Sequence, residues 1–154
     1  MKVIPEIRSN LLTDPSITVI IQQCKTVNKF DKGLAAQIKT MYPQAWEADC
    51  SAAAAGRNGL GNYSWAKVGP NKYVFNVYSC STIPIQSRWT DYNALRKGLE
   101  GVKWYVETHL DSPSIGVGHI GCSYGGDWNI VRKILSEVFT SYNGVIKIID
   151  ITGA

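Results

Sequence analysis

The densest chemistry in the chain lies in residues 120–128, IGCSYGGDW. Gly121, Gly125 and Gly126 permit positive φ and close backbone approach, and the helical periodicity beginning at Asp127 would aim a helix N-terminus at the same point. That combination suits a phosphate. Asp127 would also cap the helix, and a carboxylate at that position is favoured as the anion, which suits a nucleophile or a water-orienting base more than a general acid. Within the turn, Cys122 and Ser123 offer polar atoms. Tyr124 and Trp128 offer flat faces for a nucleobase or a ribose, although Trp128 could equally pack on a sheet.

A second candidate is residues 23–39, QCKTVNKFDKGLAAQIK. It too runs from a strand's carboxyl end into a helix, and in open α/β sheets ligands settle in the crevice beyond those ends. Lys25, Asn28, Lys32 and Gly33 would then face one crevice with the first segment. His119 stands directly before the glycine-rich segment and has the chemistry of an acid/base group, but a buried, satisfied structural histidine is the plainer reading. His109, closing a helix, complements the dipole there. Cys24 and Cys122 lie on or beside buried strands, where apolar surroundings raise a thiol's pKa and disfavour a nucleophile.

The elements that must hold these loops are α/β in pattern, β-branched runs alternating with helical periodicity. Strands are expected at residues 17–24, 73–78, 114–120 and 145–151, with a sheet-edge segment at 3–7, where Pro5 cannot donate to a ladder, and a further pairing segment at 63–68. Helices are expected at 33–41, then from Pro43 at the N1 position to near Gly56. A third follows Thr90 as N-cap, with Tyr92, Leu95, Leu99, Val102 and Val106 in one stripe. The fourth covers 127–139, with Ile130, Val131, Ile134, Leu135 and Val138 inward. Gly98 and Gly101 would let the third helix approach the sheet closely.

Size and composition bound the rest. The 154 residues are 45% apolar, 18% charged and 10% aromatic, which is one globular domain spanning 1–154. No apolar run approaches the ~20 residues that span a bilayer, and the first residues lack a signal peptide's apolar core, so no membrane partner and a cytoplasmic location are expected. The four cysteines, Cys24, Cys50, Cys80 and Cys122, never approach C-x-x-C spacing and read as reduced thiols. No metal-ligand cluster occurs, so neither a metal nor a cofactor is implied. With 16 basic against 12 acidic residues the net charge is +4, which favours an anionic ligand. The basic residues are dispersed, so a nucleic-acid partner is disfavoured, and pairs such as Arg96-Lys97 and Arg132-Lys133 read as solvated surface. Neither G-x-G-x-x-G after the first strand nor G-x-x-x-x-G-K-[ST] is present, which removes the commonest dinucleotide and triphosphate sites.

Taken together, the two loops resemble the macro domain, an ADP-ribose-binding module. The likeness is nearest to the ADP-ribose-1''-phosphate phosphatase-like and terminal ADP-ribose glycohydrolase-like branch. Residues 22–38 followed by MYPQAWEA resemble that branch's H-Q-x-N-x-x-G-x-M-G-x-G-I-A-x-Q-I and Y-P-x-A. TDYNALRKGLEGV at 90–102 is similar to T-D-Y-x-A-L-x-x-A-L, and residues 120–139 look like I-G-C-G-x-A-G-G-D-W with the last helix. The resemblance implies a three-layer α/β/α sandwich with a mixed, mostly parallel sheet. It places a small-molecule ligand, ADP-ribose or a derivative, at the strand ends of a monomer. Asp127 is the residue it offers as catalyst, with Lys25 placed to neutralise a departing phosphate. Asn10, Gln23, Asn28, Asp31, Lys32, Gly33, Ala35 and residues 121–126 with Trp128 would line the ligand.

Departures from the pattern sit at the cleft. Lys25 replaces the Asn that meets the distal ribose, Asp31 replaces a turn Gly, and Cys80 stands where a Gln is frequent. Asn10 replaces the acid that accepts the adenine amino group, and Ser123-Tyr124 fill a space of three residues. The expected function is hydrolysis of an ADP-ribose derivative, either at the 1''-phosphate or at an ADP-ribosyl ester. The alternatives are a binding module without turnover and, in third place, a nucleic-acid binder.

Overall fold

The computed structural model describes residues 2–85 and 87–150. Its strands are β1 (Glu6–Arg8), β2 (Val19–Lys25), β3 (Tyr63–Gly69), β4 (Lys72–Ile85), β5 (Arg88–Thr90), β6 (Ile115–Val117) and β7 (Ile146–Asp150). The helices are α1 (Gly33–Met41), α2 (Pro43–Ala54), α3 (Tyr92–His109) and α4 (Trp128–Val138). One sheet runs in the order β1-β7-β6-β2-β4-β3, with β5 paired to β4. Pairs β1/β7, β7/β6, β6/β2 and β2/β4 are parallel, while β3 and β5 run antiparallel to β4. The sheet is therefore mixed and mostly parallel, as expected.

Alternation along β2 sorts the two layers. Val19 and Ile21 join Phe75 and Val77 under α3 and α4, packing on Leu95, Leu99, Val131 and Leu135. Ile20 and Cys24 point the other way, with Val74 and Tyr78, onto Ile38, Ala45 and Ala52 of α1 and α2. Both faces are covered, which is why the parallel strands are apolar almost throughout. On α3, a β-carbon at Gly98 would lie 2.5 Å from Val77 Cγ1 and one at Gly101 2.6 Å from the Tyr63 ring. The two glycines thus set the helix–sheet distance, as their positions suggested.

Several boundaries differ from the sequence reading. The strand expected at 114–120 stops at Val117, because the chain must turn before the glycine-rich loop. The strand expected to end at Ile151 is described to Asp150, residue 151 lying outside the described set. Thr90 ends β5 and Asp91 is the N-cap, its side chain accepting from Ala94 N. The short strand β5 had no sequence signal at all, since three residues show no periodicity. Ile130 is 41% exposed, not turned inward with the other apolar residues of α4.

Candidate active site

Both loops leave the same end of the sheet. The first follows Lys25 at the carboxyl end of β2, and the second follows β6, its parallel neighbour. A chain of side-chain hydrogen bonds joins them underneath. Gln23 Nε2 donates to Thr90 Oγ1 at 3.2 Å, and Thr90 Oγ1 donates to Gly121 O at 2.9 Å. Thr90 is fully buried, and its bond to Gly121 O lies away from water. Above them Lys25 Nζ sits 5.5 Å from the centre of the Tyr124 ring, a cation–π distance. Burial pushes the Tyr124 phenol up, with Cys80, Cys24 and Asp31 adding to the effect. Asp31 therefore also stands near Tyr124, on the side of the second loop that Lys25 approaches.

The second loop is built from backbone. Cys122–Tyr124 form a 3-10 turn flanked by Gly121 at φ 86° and Gly125 at φ 77°, a region that disfavours side chains. A β-carbon on Gly126 would lie 2.6 Å from Gly121 O, so the third glycine is required by close approach. The N–H groups of Tyr124, Gly125 and Gly126 close the turn, bonding Gly121 O, Cys122 O and Gly121 O respectively. They are not the amides turned toward a ligand. Of Ser123 only the backbone is placed, its side chain lying outside the described residues.

Asp127 caps α4, Oδ1 accepting from Asn129 N at 2.9 Å, while its own N–H donates to Tyr92 Oη at 2.8 Å. The carboxylate is exposed and fixed at a helix N-terminus beside the cleft. Trp128 packs on the core under α4 and meets the His119 ring edge-on at 4.5 Å. That histidine is partnered but not buried: Nε2 lies 2.5 Å from Glu6 Oε1, and its side chain is 35% exposed. Cys122 is likewise exposed rather than buried, although partial burial and Asp127 still push its thiol up. Cys24 and Cys80 are buried, and desolvation raises both, Cys80 to about 11.

The first loop is built from side chains. Phe30 is buried against Trp46 with ring centres 5.2 Å apart. Asn28 Nδ2 donates to Asp49 Oδ2 at 2.7 Å, and Asn58 Nδ2 donates to Thr26 O at 3.0 Å. Lys32 occupies the N-cap position of α1 without a side-chain cap, and Gly33 has φ 54°. Ala35 packs toward the α1–α2 core. Asn10 lies in the turn after β1, where Oδ1 accepts from Leu12 N at 3.0 Å and Thr13 N at 3.2 Å. The oxygen assigned to adenine thus already holds two backbone bonds. Sequence reasoning missed Thr90 as the link between the loops, and Asp49, Tyr78 and Tyr92 as supports.

No family model matches the chain. Over 145 residues, 90% of its length, it is 26% identical to a DNA ADP-ribosyl glycohydrolase of Thermus aquaticus. It spans 38% of that relative's length. The solved macrodomain of Thermus aquaticus DarG superposes with a TM-score of 0.79 at 23% identity, covering 96% of this chain and 97% of that one. The chain has the macrodomain fold. Thermosipho africanus DarTG, solved in complex with ADP-ribose, gives a TM-score of 0.71 at 16% identity, covering 88% of this chain and 38% of that one. On this macrodomain fold, the positions expected at the cleft lie at the carboxyl end of β2 for Gln23 and Lys25, on the two loops, at the start of α1 or α4, or, for Asn10, in the turn after β1. Gln23 spends its amide on internal partners, bonding Ser79 O as well as Thr90.

Proposed function

We propose that the chain binds the ADP-ribosyl group of a modified substrate and hydrolyses its bond at the distal ribose. The observation that carries this is the 5.5 Å approach of Lys25 Nζ to the Tyr124 ring, which brings together two loops 99 positions apart in sequence, 124 − 25. The Thermus relative, named for removal of ADP-ribose from DNA, supports a glycosidic bond as the target and a nucleic acid as the leaving group.

In this reading Asp127 orients water and takes its proton as the water oxygen bonds to the anomeric carbon. The bond from that carbon to the leaving group breaks, and Lys25 stabilises the negative charge that the leaving group acquires before it is protonated. Tyr92, bonded to the Asp127 N–H, and the capped helix hold the carboxylate in place. Asn10, Asn28, Asp31, Lys32, Gly33, Ala35, Gly121, Cys122, Ser123, Gly125, Gly126 and Trp128 complete the lining, with Tyr124 as the stacking face. The chain works as a cytoplasmic monomer on this reading.

Product analysis tests it. An ADP-ribosylated oligonucleotide and ADP-ribose-1''-phosphate are offered separately to the wild type, Asp127→Ala and Lys25→Ala. Release of ADP-ribose from the oligonucleotide should fall at least a hundredfold in Asp127→Ala, with ADP-ribose affinity changed less than threefold. Full turnover by that variant overturns the assignment. Phosphate release from the second substrate alone would move the activity to the phosphatase class, and tight ADP-ribose binding without either product would leave a binding module.

A further inference from the structure

Beneath the first loop lies a polar chain in which every hydrogen bond has one direction. Gln22 Nε2 donates to Asn76 Oδ1 at 2.9 Å, and Asn76 Nδ2 donates to Ser64 Oγ at 3.0 Å and to Ala45 O at 3.1 Å. Ser64 Oγ stands 2.8 Å from Tyr78 Oη, and Tyr78 Oη donates to Asp49 Oδ1 at 2.6 Å. Since the Tyr78 proton is committed to Asp49, the Ser64 proton must point at Tyr78. From the opposite side Asn28 Nδ2 donates to Asp49 Oδ2 at 2.7 Å. Gln22, Asn76 and Tyr78 are 0–1% exposed and Asp49 is 1% exposed.

Tyr78 and Asn28 each donate to one of the two oxygens of the buried Asp49 carboxylate, and this settles the orientation of Asn28. A carboxylate only accepts, so the amide must present its NH2 inward and its carbonyl oxygen the other way. Asn28 is the exposed end of the chain, on the loop that lines the cleft. We propose that Asp49, backed by Tyr78, is a positioning residue that turns the Asn28 amide so its carbonyl oxygen is offered to the cleft as an acceptor for a ligand hydroxyl. This rests on the reading that the cleft takes an ADP-ribosyl group, whose distal ribose carries such hydroxyls. The cost of burying Asp49 is offset by the hydrogen bonds it accepts from Tyr78 and Asn28.

The test is a binding cycle on the full chain with ADP-ribose as titrant: wild type, Asp49→Asn, Asn28→Ala and the double variant. Asp49→Asn should weaken ADP-ribose about tenfold, since one charge-assisted bond is lost and the amide is free to turn. Asn28→Ala should cost about as much, and the double variant no more than Asn28→Ala alone. Additive losses would show that Asp49 does not act through Asn28, and overturn the proposal. Should Asp49→Asn not fold, Asn28→Asp leaves the core untouched and sets two carboxylates together. It should bind at least tenfold more weakly, and wild-type affinity there is an equally clear refutation. A ligand-free readout separates this from failure of the functional reading. In the NMR spectrum of the apo protein the Asn28 side-chain NH2 pair should stand apart from the bulk amide signals and return to them in Asp49→Asn. If wild type ignores ADP-ribose while this shift occurs, the substrate reading fails and the positioning contact stands. If the pair is unmoved by Asp49→Asn, the positioning claim fails whatever the ligand.

Discussion

The two loops that meet at the cleft are held by opposite means. The second is backbone: positive φ at Gly121 and Gly125, a carbonyl at Gly121 that accepts from Thr90 and from two amides of its own turn, and a helix cap at Asp127. The first is side chain: Phe30 against Trp46, Asn28 on Asp49, and Asn58 holding the Thr26 carbonyl. A backbone-built loop tolerates almost any residue that turns outward but no extra β-carbon inside. A side-chain-built loop has the reverse sensitivity, since its backbone has room and its shape depends on partners elsewhere in the chain.

The same substitution made in each loop is the sharpest way to break that contrast. Gly126→Ala sets a β-carbon 2.6 Å from Gly121 O, a backbone atom that cannot swing aside. ADP-ribose affinity should fall about a hundredfold, with a stability loss of several kcal/mol of the kind that follows enforced overlap. Gly33→Ala meets nothing within 4 Å and carries only the strain of φ +54°. That is about 1 kcal/mol, and affinity should change less than threefold. Calorimetric titration of both variants beside their melting curves decides it. Equal losses at the two positions would mean the loops are not built differently.

This difference also explains how far the sequence could be read. Glycines at 121, 125 and 126 followed by an Asp and a helical stripe state their geometry locally, because positive φ and an N-cap are properties of adjacent residues. The same holds for α1 and for Gly98 and Gly101, where periodicity and small size suffice. Asp49 and Asn28 are 21 positions apart, and Thr90 is 31 from Gly121. Nothing in either neighbourhood marks a buried partner, so the first loop's supports and the link between the loops were invisible before the fold was known. Thr90 shows the limit well: ahead of a helical stripe it reads as an N-cap, whereas it ends β5 and spends its hydroxyl on the second loop. His119 is the milder case: it was expected to be both partnered and buried, and it is partnered but exposed, since Glu6 comes from β1 at the sheet edge.

Because Thr90 joins the loops, changing it sharpens the comparison from the middle. Thr90→Val keeps the shape and removes the hydroxyl, leaving Gly121 O with its two loop amides and Gln23 Nε2 with Ser79 O alone. A lost buried bond costs about 1–3 kcal/mol, so denaturant unfolding should register about 2 kcal/mol. ADP-ribose affinity should fall about fivefold, less than for Gly126→Ala, because the turn's own backbone bonds survive. A variant with wild-type affinity and unchanged stability would show that the two loops are held independently.

The smallest effect belongs to the support of the first loop and is read in alkali. Tyr78 is buried and donates to Asp49, and both facts push its phenol well above the ordinary value of 10.0. A raised pKa in the folded state means that the native protein keeps a proton the unfolded chain gives up. Stability is therefore fully present below the unfolded value near pH 10 and declines as pH climbs beyond it, where unfolding releases that proton. Tyr42, Tyr63 and Tyr142 are raised as well and contribute slopes of their own. Tyr78→Phe should reduce the alkaline slope of unfolding free energy by up to one proton's worth between about pH 10 and 11.5, leaving the slope below pH 9 unaltered. Urea titrations at pH 8, 10 and 11 on both proteins measure this. An unchanged slope would mean that Tyr78 loses its proton as readily folded as unfolded, and that the buried chain ending at Asp49 is open to water.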